Sequence, residues 1–446
     1  MRKLIETVKN IWNIEDLRNR ILVTLGILAI YRFGSFVVIP GVDPSQLSAL
    51  QDQTSDGLLG LLNMFTGGAF SQASVFALGI MPYISASIVV QLLGMAIPYF
   101  QKLQREGESG RRKINNITRY LTILITGGQA PGYIANLKAT LPDSAFLLNP
   151  GTFWMSSIII LVTGTMFVMW LGEKITDRGI GNGISLLIMI GIIASFPQSL
   201  MQEFVSALGS AGGGLVIFMV EMVALLIVIM VSILLVQGTR RIPVQYAKRV
   251  IGNKQYGGVR QFIPLKVNAA GVMPIIFAQA IMFVPITLVG FSDNENLQGI
   301  AAVLTDFGGF WYNLLFFVMI VLFTYFYTAI TVNPNQMADD MKKNGGFIPG
   351  IKPGRATSEY LDSVMSKITL PGSLFLGFVA ILPAFAMAGG VNIQFAQFYG
   401  GTSLLILVGV ILDTLQQIES HLLMRHYDGL MDSGRIKGKS SGPSMM

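Results

Sequence analysis

The sequence contains no cysteine and only two histidines in 446 residues. Disulfide bridges and thiolate metal sites are therefore excluded. The histidines, His421 and His426, are not spaced like the pair of a helical zinc site. Paired carboxylates, a nucleophile triad and a complete phosphate-binding loop are also missing from the chain. We therefore predict no enzymatic activity and no cofactor, and any energy source has to come from a partner.

Charged residues are scarce as well. They make up 12% of the chain, whereas soluble domains contain about 25%. Hydrophobic residues make up 52%, and the mean hydropathy is +0.60. This composition is typical of a protein that crosses a membrane several times. Within the apolar segments the plainest charges are Arg32 and Glu221, with Asp413 nearer an inner end. Ion-coupled carriers need buried carboxylates or histidine relays, so this scarcity argues against a coupled transporter.

The longest uncharged stretch, Leu58–Gln101, is about twice the roughly 20 residues that one membrane-spanning helix needs. Gly67–Gly68 offers a break, because glycine disfavours helix and permits left-handed turns. We predict a short apolar helix, Leu58–Phe65, that enters the membrane region without crossing it. A full span over Ala73–Ala96, bent by Pro82, is predicted to follow. The alternative is that glycine and proline are simply common in transmembrane helices.

The apolar runs predict ten membrane spans in total. They lie at about Ile21–Ile39, Ala73–Ala96, Ile117–Ile134, Phe153–Leu171, Gly183–Phe196, Leu215–Val236, Asn268–Val289, Trp311–Thr331, Leu370–Ala388 and Ser403–Leu423. If the N-terminus is cytoplasmic, the inner segments hold almost all of the 31 basic residues, and Arg32 and Lys138 are the exceptions. The positive-inside rule then predicts that both termini are cytoplasmic.

Ten spans divide into two halves of five, and an odd number per half inverts the second half relative to the first. The predicted parts are an N-terminal half at 1–196, an outer hinge at 197–214, a C-terminal half at 215–424 and a basic cytoplasmic tail at 425–446. A basic amphipathic helix over the first 20 residues is predicted to lie on the inner membrane surface. The predicted fold class is an all-α polytopic membrane protein.

Two inner connections, 238–266 and 333–367, are unusually long. The first contains no acidic residue and carries Arg240, Arg241, Lys248, Arg249, Lys254, Arg260 and Lys266. Unopposed positive charge favours an anionic partner, such as ribosomal RNA, anionic lipid or an acidic protein face. The alternative is that these residues only specify topology. In the second connection, Pro349 and Pro353 constrain the backbone of a turn that presents Lys352.

Several segments of the chain resemble the SecY/Sec61-alpha family of protein-conducting channels. They are NMFTGGAFSQASVFALGIMPYISASIVVQLL from Asn63, GESGRRK (Gly107–Lys113), GTMFVMWLGEKITDRGIGNGIS (Gly164–Ser185), YAKR (Tyr246–Arg249), PLKVNAAGVMP (Pro264–Pro274), KKNGGFIPGIKPG (Lys342–Gly354) and GGTSLLI (Gly400–Ile406). The resemblance covers nearly the whole chain. It implies a channel that threads unfolded secretory polypeptides across the bacterial cytoplasmic membrane and releases signal and membrane helices sideways into lipid.

The family also implies functional residues that composition cannot identify. A channel for polypeptides needs a yielding apolar constriction, and the resemblance places it at Ile80, Ile84, Ile188, Ile276 and Ile406. It implies a central pore closed by a plug half-helix at about Gly57–Ala73, which includes Leu58, Leu61, Leu62, Asn63, Met64, Phe65, Gly67 and Gly68. A lateral gate is expected between the second and third spans and the seventh and eighth. Its expected polar contacts are Gln91, Thr122 and Asn268, although ordinary interhelical hydrogen bonding is the alternative for these three.

The partners implied by the resemblance are the small membrane subunits SecE and SecG, the SecA ATPase or the translating ribosome, SecDF, YidC, substrate signal peptides and anionic lipids. The expected motor- or ribosome-binding residues are Arg240, Arg241, Lys248, Arg249, Lys254, Lys352 and Arg355. Where this chain has Lys352, the family usually has arginine, so we predict that Arg355 supplies the missing guanidinium. The two other function classes are a secondary transporter for small solutes and a membrane scaffold or insertion chaperone.

Overall fold

A computed structural model shows a mostly helical chain. It describes residues 12–53, 57–209, 214–246, 249–251, 254–256, 260–289, 306 and 308–432. The N-terminal half contains α1 (Glu15–Gly34), α2 (Ser48–Gln53), α3 (Gly57–Phe65), α4 (Met81–Ala96), α5 (Pro98–Arg105), α6 (Glu108–Thr140), α7 (Pro150–Arg178) and α8 (Gly183–Gly209). The C-terminal half contains α9 (Gly214–Gln237), α10 (Met273–Val289), α11 (Phe310–Thr331), α12 (Pro334–Lys343), α13 (Arg355–Ala388), α14 (Ile393–Ala396) and α15 (Gly401–Asp432).

Each predicted span overlaps a helix, but α1 ends at Gly34 rather than Ile39 and α10 begins at Met273 rather than Asn268. In the described part of the chain, fewer than ten helices have the length and composition to cross a membrane unaided. Within the described residues, six helical segments do, and a seventh is added if the bent pair Met81–Gly94 and Pro98–Gln104 counts as one span. The helix α1 carries acidic residues in its first turn and Arg32 in its last turn, which lowers its hydropathy. The number of ten spans therefore stays a prediction.

The predicted second span is wrong in its first part. The helix α4 begins only at Met81, and Pro82 lies in its first turn rather than inside a bent span. Proline fits there because a first-turn N–H has no partner within the helix. Residues 66–80 form successive turns instead, with positive φ angles at Ala73 and Gly79.

The predicted outer hinge is also partly helical. The helix α8 does not end at Phe196 but continues through Pro197 to Gly209. Proline is tolerated in membrane helices where other groups supply hydrogen bonds, and the hydroxyls of Ser195 and Ser199 donate to carbonyls one turn earlier, at 3.5 and 3.0 Å. Residues 210–213 of the hinge lie outside the described part of the chain.

The predicted C-terminal tail also differs from the structure at its beginning. The helix α15 extends to Asp432, so the beginning of the predicted tail is helical as well. The remainder of the tail, and residues 1–11 of the predicted surface helix, lie outside the described residues.

The all-α prediction is wrong in the inner connections, where small β-sheets form. The strands are β1 (Thr239–Tyr246), β2 (Arg249–Ile251), β3 (Lys254–Tyr256), β4 (Arg260–Lys266) and β5 (Gly346–Phe347). The strand β1 lies between β4 and β5 and is antiparallel to both, while β2 pairs with β3. Along β1, Ile242 and Val244 are buried and their neighbours Arg241 and Pro243 are exposed, which is the period of a half-buried strand.

The strands β1, β4 and β5 and the second long connection form one domain, which we call the inner domain after its predicted side of the membrane. Its core combines Ile242 and Val244 of β1 with Met341 of α12 and Leu361 of α13. The two long connections that the sequence suggested as separate loops therefore pack together.

The two halves are joined mainly through α8. Among the described residues, every closely packed helix pair that links the halves includes it: α8 with α9, with α14 and with α15. Two hydrogen bonds add to this packing. The carboxylate of Glu203 accepts from the backbone N–H of Asn392 at 3.0 Å, and the side chain of Gln417 accepts from the N–H of Gly181 at 2.9 Å. The helix α8 therefore serves as the common support of both halves.

Candidate functional site

The five predicted constriction residues lie in one buried hydrophobic cluster, although they come from four helix regions that are far apart along the chain. Ile80, Ile188 and Ile406 are buried members, and Ile84 and Ile276 pack against them half-buried. Ile80 precedes α4 and Ile84 lies within it, whereas Ile188, Ile276 and Ile406 come from α8, α10 and α15. We refer to this group as the central cluster. The fold brings the five side chains together, and their role as a constriction stays a prediction.

The short helix α3 packs into the same cluster. Its bounds, Gly57–Phe65, agree with the short helix expected from the sequence. Met64 and Phe65 are buried members of the central cluster, and the helix packs along α8. The Ser403 hydroxyl of α15 donates to the Met64 sulfur at 3.0 Å. The helix therefore contacts both halves of the molecule.

Two further residues of α3, Leu62 and Asn63, contact the N-terminal half. Leu62 packs against a second hydrophobic cluster at the ends of α6 and α7, and the Asn63 side chain accepts from the N–H of Ser71 at 3.0 Å. The side chains of Leu58 and Leu61 lie outside the described residues.

The segment after α3 turns sharply and is then pinned to the N-terminal half. Gly67 and Gly68 have φ angles of +67° and +88°, which residues that carry a Cβ atom rarely adopt. Beyond them, the Phe70 carbonyl accepts from the Tyr133 hydroxyl at 2.9 Å, and the Ala73 carbonyl accepts from the N–H of Ile39 at 2.8 Å. The last residues of the predicted plug are therefore hydrogen-bonded to α6 and to the segment that follows α1.

Arg32 contacts the predicted plug, and the sequence analysis did not predict this contact. Its Nη1 donates to the Gly67 carbonyl at 2.6 Å, and its guanidinium lies 5.4 Å from the centre of the Phe36 ring. The Tyr31 hydroxyl, one residue earlier, donates to the Thr66 carbonyl at 3.3 Å. The available signal was Arg32 itself, because an arginine inside an apolar span marks a functional position by default.

Outside the plug lies an open polar cavity of about 330 Å³. Its lining is rich in amide and hydroxyl side chains, including Gln51, Gln198, Gln394 and Ser195. Arg32 is the one charged residue among the lining residues that the structure describes. Such a surface can solvate a polypeptide backbone without selecting particular side chains.

The three predicted gate residues are not joined to one another. The Gln91 amide donates to the Ser87 hydroxyl at 3.3 Å within α4, and the Thr122 hydroxyl donates to the Thr118 carbonyl at 2.7 Å within α6. Asn268 is buried, and its side-chain oxygen has no hydrogen-bond partner among the described residues. Their role at a lateral gate stays a prediction.

The tip of the second inner connection is well ordered by side-chain contacts. Lys352 is exposed, and its carbonyl accepts from the buried Thr357 hydroxyl at 2.9 Å. Arg355, three residues on, is also exposed, and its Nε donates to Glu359 at 2.9 Å. The two cations are thus presented to solvent at the start of α13.

The other predicted partner-binding residues lie on or near the sheets. Arg240 and Arg241 are exposed on β1. Lys248 and the side chains of Arg249 and Lys254 lie outside the described residues. The basic character of this surface is therefore established for β1 and for the tip.

Glu221 lies on α9, turned towards the bundle. One of its carboxylate oxygens is buried and has no hydrogen-bond partner within the described part of the chain, and Glu203 is close enough to interact with it electrostatically. In the outer loop, Asp43 accepts from the N–H and the hydroxyl of Ser45 at 2.9 and 2.8 Å, and these hydrogen bonds lower the pKa of its carboxyl group.

A family model described as SecY matches residues 74–415. The chain belongs to the SecY family. A relative from Streptomyces coelicolor, named protein translocase subunit SecY, is 45% identical over 433 residues, which cover 93% of this chain and 97% of that protein. A relative of the same name from Haemophilus influenzae is 43% identical over 427 residues, covering 95% and 96%.

Solved structures show the SecY fold in two settings. The chain is similar to a SecY protein whose plug domain is described as stabilising the closed channel, with a TM-score of 0.59, 19% identity and coverage of 90% and 92%. It is also similar to Sec61 in a canine ribosome–channel complex, with a TM-score of 0.53, 18% identity and the same coverage. SecY proteins are channels rather than enzymes, so this chain is a protein translocation channel and a multi-pass membrane protein. The transporter and scaffold alternatives are set aside.

Proposed function

We propose that polypeptides pass through the central cluster of this SecY chain, with Ile80, Ile84, Ile188, Ile276 and Ile406 as the constriction. The observation that carries the proposal is that these five side chains pack together with Met64 and Phe65 of α3. Branched aliphatic side chains form an apolar ring that a passing polypeptide can push apart. The ring excludes water when no polypeptide is present. Because the ring offers no fixed polar site, substrate side chains of any kind can pass.

The segment at 57–73 acts as the plug of this pore. Its helix contacts the ring from one side and faces the polar outer cavity on the other. The segment behind it is attached at Phe70 and Ala73. A displacement of α3 therefore opens the ring without detaching the segment from the N-terminal half.

Sideways release of apolar helices occurs between α4 and α10. The helix α4 packs closely on α6, and α10 packs closely on α11, but α4 and α10 are not among the closely packed pairs of the described residues. Since the halves are held together through α8, this seam can open at the smallest cost in buried contacts. Gln91, Thr122 and Asn268 lie on the helices or turns that border it.

The inner domain receives the partner that drives transport. Arg240, Arg241, Lys352 and Arg355 give it an exposed positive surface, which suits the SecA motor or ribosomal RNA.

The chain works in the bacterial cytoplasmic membrane with both termini in the cytoplasm and its halves inverted. SecE, SecG, SecDF and YidC are its membrane partners, and signal peptides and anionic lipids are its ligands.

Ion conductance across planar bilayers tests the constriction. The double variant Ile188→Ser and Ile406→Ser should raise the resting conductance of the reconstituted channel, because two hydroxyls hydrate an otherwise dry ring. Ile275→Ser is the matched control, since Ile275 adjoins Ile276 and is fully buried, but in the separate cluster of the C-terminal half. An assembled, monodisperse double variant that conducts no more than the control contradicts the assignment.

A further inference from the structure

The contact between Arg32 and the plug lies where it can control the movement of α3. Arg32 lies in the last turn of α1, and its Nη1 donates to the Gly67 carbonyl at 2.6 Å. The partial negative charge at the end of a helix favours a cation at this position. Stacking on Phe36 at 5.4 Å holds the guanidinium in place from a second direction.

The Gly67 turn is wedged between Arg32 and the backbone of α8. A Cβ added to Gly67 would lie 2.6 Å from the Arg32 Nη1 and 2.9 Å from the Gly191 Cα. A Cβ added to Gly191 would lie 2.9 Å from the Phe65 carbonyl oxygen. Contacts this close leave no room for the turn to shift while Arg32 stays bound.

The same turn separates the fixed and the displaceable parts of the plug. After it, Phe70 is tied to Tyr133 and Ala73 is tied to Ile39 by backbone carbonyls. Before it, α3 meets the C-terminal half through side chains, including the Met64 sulfur that Ser403 contacts. Gly67 and Gly68, both with positive φ, form the joint between the two parts.

We propose that Arg32 is the positioning residue that keeps the channel closed, by clamping the Gly67 joint against Gly191. The inference deepens the proposed function and rests on α3 being the plug. Opening requires the guanidinium to give up the Gly67 carbonyl. Because a hydrogen bond from a charged donor is among the stronger side-chain bonds, its loss should favour the open plug about tenfold.

A single introduced thiol can report the position of the plug, because the chain has no cysteine. Ser403→Cys is nearly isosteric, and Ser403 is only 2% exposed beneath Met64. In the complete reconstituted channel complex, alkylation of this thiol by a membrane-impermeant maleimide should be slow. Adding Arg32→Gln should accelerate alkylation about tenfold, and Arg32→Lys should give an intermediate rate because one donor and the charge remain.

Arg20→Gln is the matched control, since Arg20 lies on the same helix but contacts Asp16 and Gly179 instead of the plug. It should alkylate at the wild-type rate. Equal rates for Arg32→Gln and wild type overturn the clamp. If Arg32→Gln does not assemble, the variant Gly67→Ala tests the clamp instead. This variant keeps Arg32 but displaces the joint, so it should accelerate alkylation. Alkylation of Gly67→Ala at the wild-type rate overturns the proposal.

The conductance of the ring variants separates this inference from the proposed function. A leaking ring variant together with slow alkylation of Arg32→Gln rejects the clamp and retains the pore. A ring variant that does not leak rejects the pore itself, whatever the alkylation rates are.

Discussion

At the scale of single residues, the tip of the inner domain carries Lys352 where the family resemblance leads us to expect an arginine. An ammonium group keeps the attraction of a cation but lacks the planar donor fork. Arg355 already donates to Glu359, but both side chains are largely exposed. An exposed ion pair of this kind is weak, at about 0.3–0.5 kcal/mol. A partner can therefore take Arg355 from Glu359 at little cost.

Variants of the tip test this substitution. Lys352→Arg should match wild type in motor-driven translocation into reconstituted vesicles, whereas Lys352→Glu should abolish it by reversing the charge. Arg355→Ala should lower translocation and motor-stimulated ATP hydrolysis several-fold. Glu359→Ala is the control, because it releases the guanidinium without removing it and should leave activity at or above wild type. Wild-type activity of Arg355→Ala shows that Lys352 alone carries the function of the tip.

At the scale of elements, α3 is a short helix that ends at the buried residues Met64 and Phe65 without continuing as a span. It was predictable because Leu58–Gln101 is too long for one span and Gly67–Gly68 interrupts it. In its described part, α3 meets the C-terminal half through side-chain contacts, so we expect it to belong to the less stable part of the fold. The start of α4 was not predictable, because residues 66–80 are as apolar as a span and their turns depend on tertiary contacts.

A reversible disulfide between α3 and α15 tests the mobility of the plug. Met64→Cys combined with Ser403→Cys places two thiols on either side of the native contact, slightly further apart than the native atoms because cysteine is shorter than methionine. Oxidation should block translocation, and reduction should restore it, because the closed plug cannot leave the ring. Each single-cysteine variant should transport equally in both redox states. Full transport by the double variant with its disulfide verified by gel shift contradicts a plug at this position.

At the scale of the whole molecule, the two halves share a support at α8 and a less closely packed seam between α4 and α10. This asymmetry is a property of the assembled bundle. The central cluster lies between the two halves, so a rotation of the halves about α8 can widen the pore and open the seam in one movement. The inner domain belongs to the C-terminal half in this motion, because α13 continues from its core into the helices of that half.

A bond across the seam tests lateral opening. Gln91→Cys combined with Asn268→Cys, crosslinked by a short bifunctional reagent, should stop insertion of signal sequences and membrane helices. Ribosome binding should persist, because the crosslink leaves the exposed cations of the inner domain unmodified. Met155→Cys with Ile159→Cys is the control, since both residues are exposed on α7 and their link leaves the seam free. Equal insertion with and without the seam crosslink argues against a gate here.

The sequence by itself determined the membrane class, the helical character of each span and the short helix before Gly67. Composition, apolar run length and glycine breaks are local properties, so they can be read along the chain. The resemblance, and not the residues alone, singled out the five isoleucines among many. Only the tertiary structure decided that these side chains meet, that β1 pairs with both β4 and β5, and that Arg32 reaches the Gly67 carbonyl. Those contacts join distant segments, and hydrogen-bond partners depend on distances that a linear pattern does not contain.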